Sequence, residues 1–167
     1  MPTLALRAIL AFALLLSFGN TVLAQLKAVP VVAEDQRLLP YVKPGQLVDI
    51  GGRHINLRCS GSGSPTVILM AGSSSWSPLW YMTQPEIAKR ARVCAFDRAS
   101  YGFSDPAPQP QILPDTISDL RAALKAADVP GPYVLVGHSL GGLEARLFAE
   151  WEVSRRANDS RVAWLAS

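Results

Sequence analysis

The chain has 167 residues, of which 49% are hydrophobic and 17% are charged, enough for one domain with a core of moderate size. This composition excludes an intrinsically disordered chain. The net charge is only +3, and no dense cluster of lysines and arginines points to nucleic acid as a partner. The two cysteines and two histidines lack metal-ligand spacing, so we expect no metal site and no cofactor.

The N-terminus has the pattern of a secretory signal peptide. A weakly positive start, Met1–Arg7, precedes an apolar run at 8–18, and small or modest residues occupy Val22-Leu23-Ala24. We therefore predict a signal peptide at 1–24, export to the periplasm or medium, and no stable membrane insertion after cleavage. An uncleaved membrane anchor is the alternative, although the run spans about 30 Å of hydrocarbon only if residues 19–21 are included.

The first predicted elements follow a proline-containing lead-in segment, residues 25–45. Strand-like runs at Gln46–Ile50 and His54–Cys59 flank Gly51-Gly52, a pattern typical of a β-hairpin. Thr66–Met70 is apolar throughout and rich in β-branched residues. This run predicts a strand covered on both faces, inside a mostly parallel sheet.

Helical and strand-like segments alternate in the remainder of the chain. They are a partly helical segment broken near Pro85, a buried strand, an amphipathic helix, a third buried strand and a second helix, at 76–90, 92–97, Asp115–Ala127, Tyr133–Gly137 and Leu140–Glu150. Asp115 or Thr116 is the expected N-cap of the first long helix. Strands alternating with helices predict an α/β fold, a mostly parallel sheet with flanking helices.

Gly137-His138-Ser139-Leu140-Gly141 matches G-x-S-x-G between a buried strand and a helix, the context which that motif requires. The serine would occupy a strained turn, and side chains two residues to either side would collide with the neighbouring strand and helix. Gly137 and Gly141 satisfy that requirement. An ordinary glycine-rich turn is the alternative, but the flanking strand and helix favour a nucleophile at Ser139.

Three longer stretches, 48–72, 92–108 and 119–149, resemble the α/β-hydrolase fold family, in its bacterial lipase, esterase and epoxide-hydrolase-like group. The resemblance implies the strand order 1-2-4-3-5 and hydrolysis of a small ester or similar acyl bond by Ser139. It also implies an oxyanion hole made of the backbone amides of Leu140 and Ser73. Ala71-Gly72 stands where relatives usually have His-Gly, which leaves both backbone donors in place.

The implied strand order places further residues. The second and fourth strands would be adjacent and antiparallel, so Cys59 and Cys94 would be opposed and form a disulfide; two free buried thiols are the alternative. Asp97 would end a strand two places from the nucleophile strand, which indicates a structural role. Relatives usually have glycine where Ser100 stands, so a positive φ there would carry a cost.

The triad of this family runs in the order Ser, Asp or Glu, His, and residues 140–167 contain no histidine. His138 adjoins the nucleophile, and it is interpreted as a residue that packs or makes a local hydrogen bond. His54 would lie three strands from the nucleophile strand, about 14 Å away, too far to act as its base. The carboxylates after Ser139 are interpreted as solvated charge: Glu144, Glu150, Glu152 and Asp159.

The resemblance fades after Ala149, so we predict a partial hydrolase domain at 46–150 and a divergent tail at 151–167. Truncation or a shifted reading frame would explain the tail; Arg161–Ala166 as a weak sixth strand is the alternative. The chain is then either a secreted serine hydrolase whose triad acid and base are lost or come from another chain, or a non-catalytic remnant or binding module. A bare edge on the nucleophile strand predicts oligomers or aggregates.

Overall fold

The computed structural model describes residues 35–108 and 110–156. The predicted signal peptide at 1–24 and the predicted weak strand at 161–166 therefore lie outside the described residues. Within the described ranges, no helix is long and apolar enough to cross a membrane. The elements are β1 (Gln46–Asp49), β2 (His54–Ser60), β3 (Thr66–Met70), α1 (Gln84–Ala88), β4 (Arg92–Phe96), α2 (Leu113–Ala126), β5 (Tyr133–Gly137) and α3 (Leu140–Arg156), with 3-10 helices at Gln36–Val42 and Ser77–Trp80.

The strands form one mixed sheet with the order β1-β2-β4-β3-β5. The β1–β2 and β2–β4 pairs are antiparallel, whereas β3 lies parallel to both β4 and β5. Every residue of β3 is buried, because this central strand is covered on both faces, as its unbroken apolar run predicts. The predicted hairpin, fold class and strand order are confirmed.

Alternating side chains of β3 divide the core between the two faces of the sheet. Ile68 and Met70 point into a cluster with α2 and α3, which includes Leu120 and Phe148. Val67 and Leu69 point into a second cluster, which includes Trp80 and is bordered by Ile87 of α1. Successive strand residues face opposite sides, so helices cover both faces of the sheet. The carboxyl ends of β3, β4 and β5 meet at one edge.

The lead-in segment contains structure that the sequence analysis did not assign. Its 3-10 helix, Gln36–Val42, buries Tyr41, whose hydroxyl donates to Gln84 Oε1 at 2.9 Å. This hydrogen bond ties the segment to the start of α1. Pro85 lies in the first turn of α1, where its missing N–H costs nothing. The proline therefore opens a helix rather than breaking one.

Two predicted helix ends were wrong. Helix α2 begins at Leu113 with Ile112 as N-cap, so neither Asp115 nor Thr116 is the cap. The Asp115 carboxylate instead accepts the Ile112 N–H at 3.2 Å, from its place within the first turn. The second error concerns α3, which continues to Arg156 rather than ending at Glu150.

Candidate active site

The turn between β5 and α3 holds Ser139 in a left-handed conformation, with φ 54°. This conformation costs a residue with a Cβ about 1–2 kcal/mol. Its neighbours have no room for side chains: an ideal Cβ on Gly137 would lie 2.3 Å from the Gly141 oxygen, and one on Gly141 would lie 2.1 Å from the Met70 oxygen. Both glycines are therefore needed to seat the turn against β3 and α3.

The loop after β3 lies directly against this serine. The His138 N–H donates to the Met70 oxygen at 3.0 Å, which fixes the turn to the end of β3. An ideal Cβ on Gly72 would lie 3.3 Å from Ser139 Cβ and 2.8 Å from His138 Nδ1. Gly72 thus allows the turn that carries Ser139 to approach, and the His138 ring packs over it. Ser139 is exposed, and its hydroxyl has no hydrogen-bond partner among the described residues.

The two predicted oxyanion donors lie on the two segments next to Ser139, which are the start of α3 and the loop after β3. Leu140 is the first residue of α3, and the first N–H groups of a helix have no partner within the helix. Ser73 directly follows Gly72 in the loop that touches Ser139 Cβ. In the part of the chain that the structure describes, neither the Leu140 nor the Ser73 N–H donates a backbone hydrogen bond. Two free amides beside an exposed serine can bind a developing negative charge.

A cavity of about 340 Å³ opens beside Leu140. Its lining includes Tyr101, Ile112 and Leu113, which present ring and aliphatic surface next to the amide of Leu140. The volume lies at the lower end of the range found for small-molecule pockets. The described structure therefore has space for a small group between α2 and the first turn of α3.

A buried ion pair beside the site escaped the sequence analysis, which interpreted Glu144 as solvated charge. The structure contradicts that interpretation, since Glu144 is 0% exposed. Its carboxylate accepts Arg98 Nε at 2.6 Å and Arg98 Nη2 at 2.8 Å. The sequence contained two signals for this pair. An arginine directly follows the predicted strand at 92–97, and Glu144 lies one helical turn after Leu140, so helical geometry places Glu144 and Leu140 on the same face of α3.

The other carboxylates after Ser139 differ from Glu144. Glu150 is exposed and pairs with Arg146 on the same helix at 2.9 Å. Glu152 is partly buried and pairs with Arg121 of α2 at 2.8 Å, so it too is more than a solvated charge. Asp159 lies outside the described residues.

Asp97, at the end of β4, is fully buried. Its Oδ2 accepts Asn56 Nδ2 at 2.8 Å and the Phe103 N–H at 3.1 Å, and its Oδ1 accepts the Ser77 N–H at 2.9 Å. A carboxylate with three fixed donors holds the surrounding loops together. The geometry agrees with the predicted structural role.

The loop after β4 contains a second serine in the left-handed region. Ser100 has φ 68°, the backbone conformation that the usual glycine of this position would adopt freely. Its hydroxyl accepts the Ala107 N–H at 3.2 Å. This bond and the Ser100 N–H bond to the Asp105 oxygen, 3.0 Å long, hold the loop.

Among the described residues, neither histidine forms a hydrogen bond with Ser139. His54 begins β2, three strands from β5 in the sheet, which is about 14 Å at the usual strand spacing. Its Nδ1 lies 3.0 Å from Asp105 Oδ2 on the surface. His54 also donates its backbone N–H to Asp105, and these contacts lower the pKa of the Asp105 carboxyl, the backbone bond contributing most.

Cys59 of β2 and Cys94 of β4 are directly opposed in the antiparallel register. Their sulfur atoms form a disulfide, with Cα atoms 4.0 Å apart. The bond joins strands whose residues are 35 apart in the sequence. It therefore cross-links the side of the sheet away from β5.

Comparisons with known proteins agree with the observed fold. The family model described as alpha/beta hydrolase fold matches residues 65–163, a range that contains both the serine turn and the loop after β3. The chain belongs to the α/β-hydrolase fold family. The match continues past Glu150, where the sequence analysis placed the end of the domain.

Individual relatives support the same family. An uncharacterized protein of Bacillus subtilis, YbdG, is 31% identical over 64% of this chain. The 2-hydroxy-6-oxo-2,4-heptadienoate hydrolase of Pseudomonas putida is 30% identical over 63% of this chain. A meta-cleavage product hydrolase from Pseudomonas fluorescens IP01 superposes with a TM-score of 0.61 and 26% identity over 72% of this chain.

The chain spans only part of the length of these relatives. The matched segments cover 33% of the Bacillus protein, 39% of the Pseudomonas putida hydrolase and 43% of the Pseudomonas fluorescens structure. The chain thus corresponds to only part of these proteins, and the family match at 65–163 includes the strand–turn–helix unit of β5 and α3.

Proposed function

We propose that this chain carries the nucleophile and the oxyanion hole of a secreted serine hydrolase that cleaves an ester or a similar acyl bond. The observation that carries the proposal is the placement of Ser139, which is exposed, has φ 54° and lies against Gly72, with no hydrogen-bond partner for its hydroxyl in the described ranges. Nothing in ordinary packing requires a serine in this strained conformation, where glycine would be more stable. Strain retained at an exposed hydroxyl is typical of a functional site.

The proposed chemistry is nucleophilic acyl transfer. Ser139 Oγ attacks the acyl carbonyl carbon while a base removes its proton, and the Leu140 and Ser73 amides hold the oxygen that becomes negative. Collapse of this intermediate expels the alcohol, which takes up a proton, and water later releases the acid. Each oxyanion donor contributes about 3–4 kcal/mol to lowering the barrier in serine hydrolases.

The proposed chemistry also needs a base that removes the proton from Ser139 Oγ. Residues 140–167 contain no histidine, and His54 is out of reach. We therefore propose that the base and the triad acid come from outside these 167 residues, by continuation of the natural chain or from a second chain. The isolated chain should hydrolyse p-nitrophenyl acetate far below an enzymatic rate on the order of 1 s⁻¹. Ser139→Ala should change that slow rate little.

Chemical rescue tests the proposal on the chain as it exists. Imidazole in solution can replace the missing base, so it should accelerate fluorophosphonate labelling of Ser139. Mass spectrometry of the labelled peptide locates the modified serine. Ser139→Ala is the control, and Ser75→Ala controls for reaction at a neighbouring serine.

A non-catalytic remnant or binding module is the competing function. It predicts that labelling is spread over exposed serines and that imidazole has the same effect on the parent and on Ser139→Ala. Selective labelling of Ser139 that rises with imidazole supports the hydrolase. Unselective labelling would reject it.

Export is part of the proposal. The apolar run at 8–18 and the Val22-Leu23-Ala24 sequence support a signal peptide, and the Cys59–Cys94 disulfide suits an oxidising compartment. N-terminal sequencing of exported protein should begin at Gln25. Recovery of intact Met1 in the membrane fraction would favour an uncleaved anchor instead.

Self-association remains a prediction as well. Among the described residues, β5 is the last strand of its sheet, and its side chains are only half-buried apart from the exposed Gly137. An open apolar edge offers unpaired N–H and C=O groups to another strand. Light scattering of the purified chain should show oligomers, and a monodisperse monomer would contradict the prediction.

A further inference from the structure

The guanidinium group of Arg98 uses all its hydrogen-bond donors beside the candidate site. Nε and one N–H of Nη2 bind the two carboxylate oxygens of Glu144. The other N–H of Nη2 binds the Ala71 oxygen, and Nη1 donates to the Gly72 oxygen at 3.0 Å and to the Ser75 oxygen at 3.3 Å. These are the five donors that an arginine has, and three of them hold the loop after β3.

The bond to the Gly72 oxygen, which also accepts the Ser75 N–H at 3.3 Å, helps to fix where the Ser73 amide points. That oxygen and the Ser73 N–H belong to the same peptide unit, which is planar and trans. The C=O and N–H therefore point in opposite directions. Since Arg98 holds the Gly72 oxygen on its own side, the Ser73 N–H is turned away from Arg98 and stays free of backbone acceptors among the described residues.

Glu144 connects the same arrangement to the other oxyanion donor. It lies one turn after Leu140 on α3, and Arg98 is 7% exposed and Glu144 fully buried. A bidentate pair between a guanidinium and a carboxylate has a fixed geometry. The pair therefore joins the loop that carries the Ser73 amide to the helix that begins with the Leu140 amide.

We propose that Arg98 and Glu144 are positioning residues that orient the Ser73 amide for the oxyanion. The inference rests on the proposed function of Ser139. Stability alone is a weak reason for such a pair, because apolar side chains of similar volume often replace a buried ion pair without loss of stability. The three bonds from Arg98 to backbone oxygens are what an apolar replacement would lose.

Two variants separate positioning from folding. Arg98→Met combined with Glu144→Leu removes both charges together, so no unpaired charge is left buried. Arg98→Lys retains the charge beside Glu144 but loses the fork that reaches the loop oxygens, and it serves if the double variant does not fold. The matched control is Arg146→Met combined with Glu150→Leu, an exposed pair on the same helix.

The first readout is the rate of fluorophosphonate labelling at Ser139 with imidazole present. Loss of one oxyanion donor lowers catalytic rates by about 10²–10³-fold, so the folded double variant should label about 10²-fold more slowly than the parent. Arg98→Lys should show a loss in the same direction, and the control pair should match the parent. A folded double variant that labels within about threefold of the parent would overturn the proposal.

The second readout is the amide spectrum of ¹⁵N-labelled protein, which does not depend on reactivity. The Ser73 signal should shift in the double variant, while β1 signals stay in place. If the parent does not label at Ser139, the proposed function fails and the spectrum alone decides the positioning claim. An unchanged Ser73 signal then rejects it, and a shifted signal supports it.

Discussion

Ser139 follows β5 and Ser100 lies in the loop after β4, and both have positive φ angles, 54° and 68°. The two turns stand at the same edge of one sheet, yet their surroundings are opposite. At the β4 turn, the Ser100 hydroxyl has a donor, and the buried Asp97 nearby accepts three hydrogen bonds. At the β5 turn, the Ser139 hydroxyl is exposed and has no partner in the described ranges.

The two turns show that a serine in the strained left-handed conformation can serve either to hold a loop in the fold or to expose a reactive hydroxyl. In the β4 turn, hydrogen bonds offset the cost of the left-handed serine and fix the loop. In the β5 turn, glycines at 137 and 141 allow close approach to β3. The free Ser139 hydroxyl and the free Leu140 and Ser73 amides form no hydrogen bond within the described structure that would offset the strain. A polar group without a partner is the more informative sign of function.

Removing the space beneath the β5 turn should have the largest effect. Gly141→Ala places a Cβ 2.1 Å from the Met70 oxygen, a backbone atom that cannot move aside. We expect a loss of more than about 4 kcal/mol in the free energy of unfolding, measured by urea denaturation, because the new side chain clashes with backbone. Gly142→Ala is the control, since its nearest atom is the Gly137 oxygen at 3.9 Å; it should gain about 0.5–1 kcal/mol. Equal stabilities for the two variants would contradict the steric account.

Reduction of the Cys59–Cys94 disulfide should affect the strands near the β4 turn more than those near the β5 turn. For a separation of 35 residues, closing the loop in the unfolded chain corresponds to about 4 kcal/mol. Reduced protein should lose that much stability, with faster amide exchange in β2 and β4 than before. Cys59→Ala combined with Cys94→Ala should remove any further response to reductant. An unfolding midpoint that is insensitive to reductant in the parent would refute the prediction.

Removal of the buried carboxylate should open the β4 turn. Asp97→Ala leaves Asn56 Nδ2 and the Ser77 and Phe103 amides without their acceptor. Since each buried orphan costs about 1–3 kcal/mol, we expect a loss of about 3 kcal/mol or more by urea denaturation. Asp97→Asn retains one oxygen and should lose less. Similar losses for both variants would show that the carboxylate charge, which both variants lack, sets the cost rather than the number of acceptor oxygens.

Replacing the two serines by glycine should give the smallest effect and the most direct contrast. Glycine removes about 1–2 kcal/mol of left-handed strain but adds about 0.5–1 kcal/mol of unfolded-state entropy. Ser139→Gly should therefore gain about 0.5–1 kcal/mol, with loss of labelling. Ser100→Gly should gain less, because it loses the bond to the Ala107 N–H. Alanine at either position keeps the left-handed strain and should not raise the free energy of unfolding. A larger gain for Ser100→Gly than for Ser139→Gly would contradict the difference drawn between the two turns.

The sequence alone determined the elements whose pattern is local. Continuous apolar runs identified β3, β4 and β5, the Gly51-Gly52 pair identified the hairpin, and the spacing of glycines around Ser139 identified the turn. These patterns can be read from the sequence because strand burial and turn conformation depend on neighbouring residues. The strand order and the Cys59–Cys94 pairing came from family resemblance rather than from any local pattern.

Tertiary structure decided the partners of buried polar groups. Nothing local to Glu144 distinguishes it from the exposed Glu150 on the same helix; only the approach of Arg98 from the end of β4 makes one carboxylate buried and the other solvated. The N-cap of α2 was missed for a different and local reason, because Pro114 suits the first turn and moves the helix start to Leu113. Burial and pairing depend on residues far apart in the chain, and a single sequence does not record which of them meet.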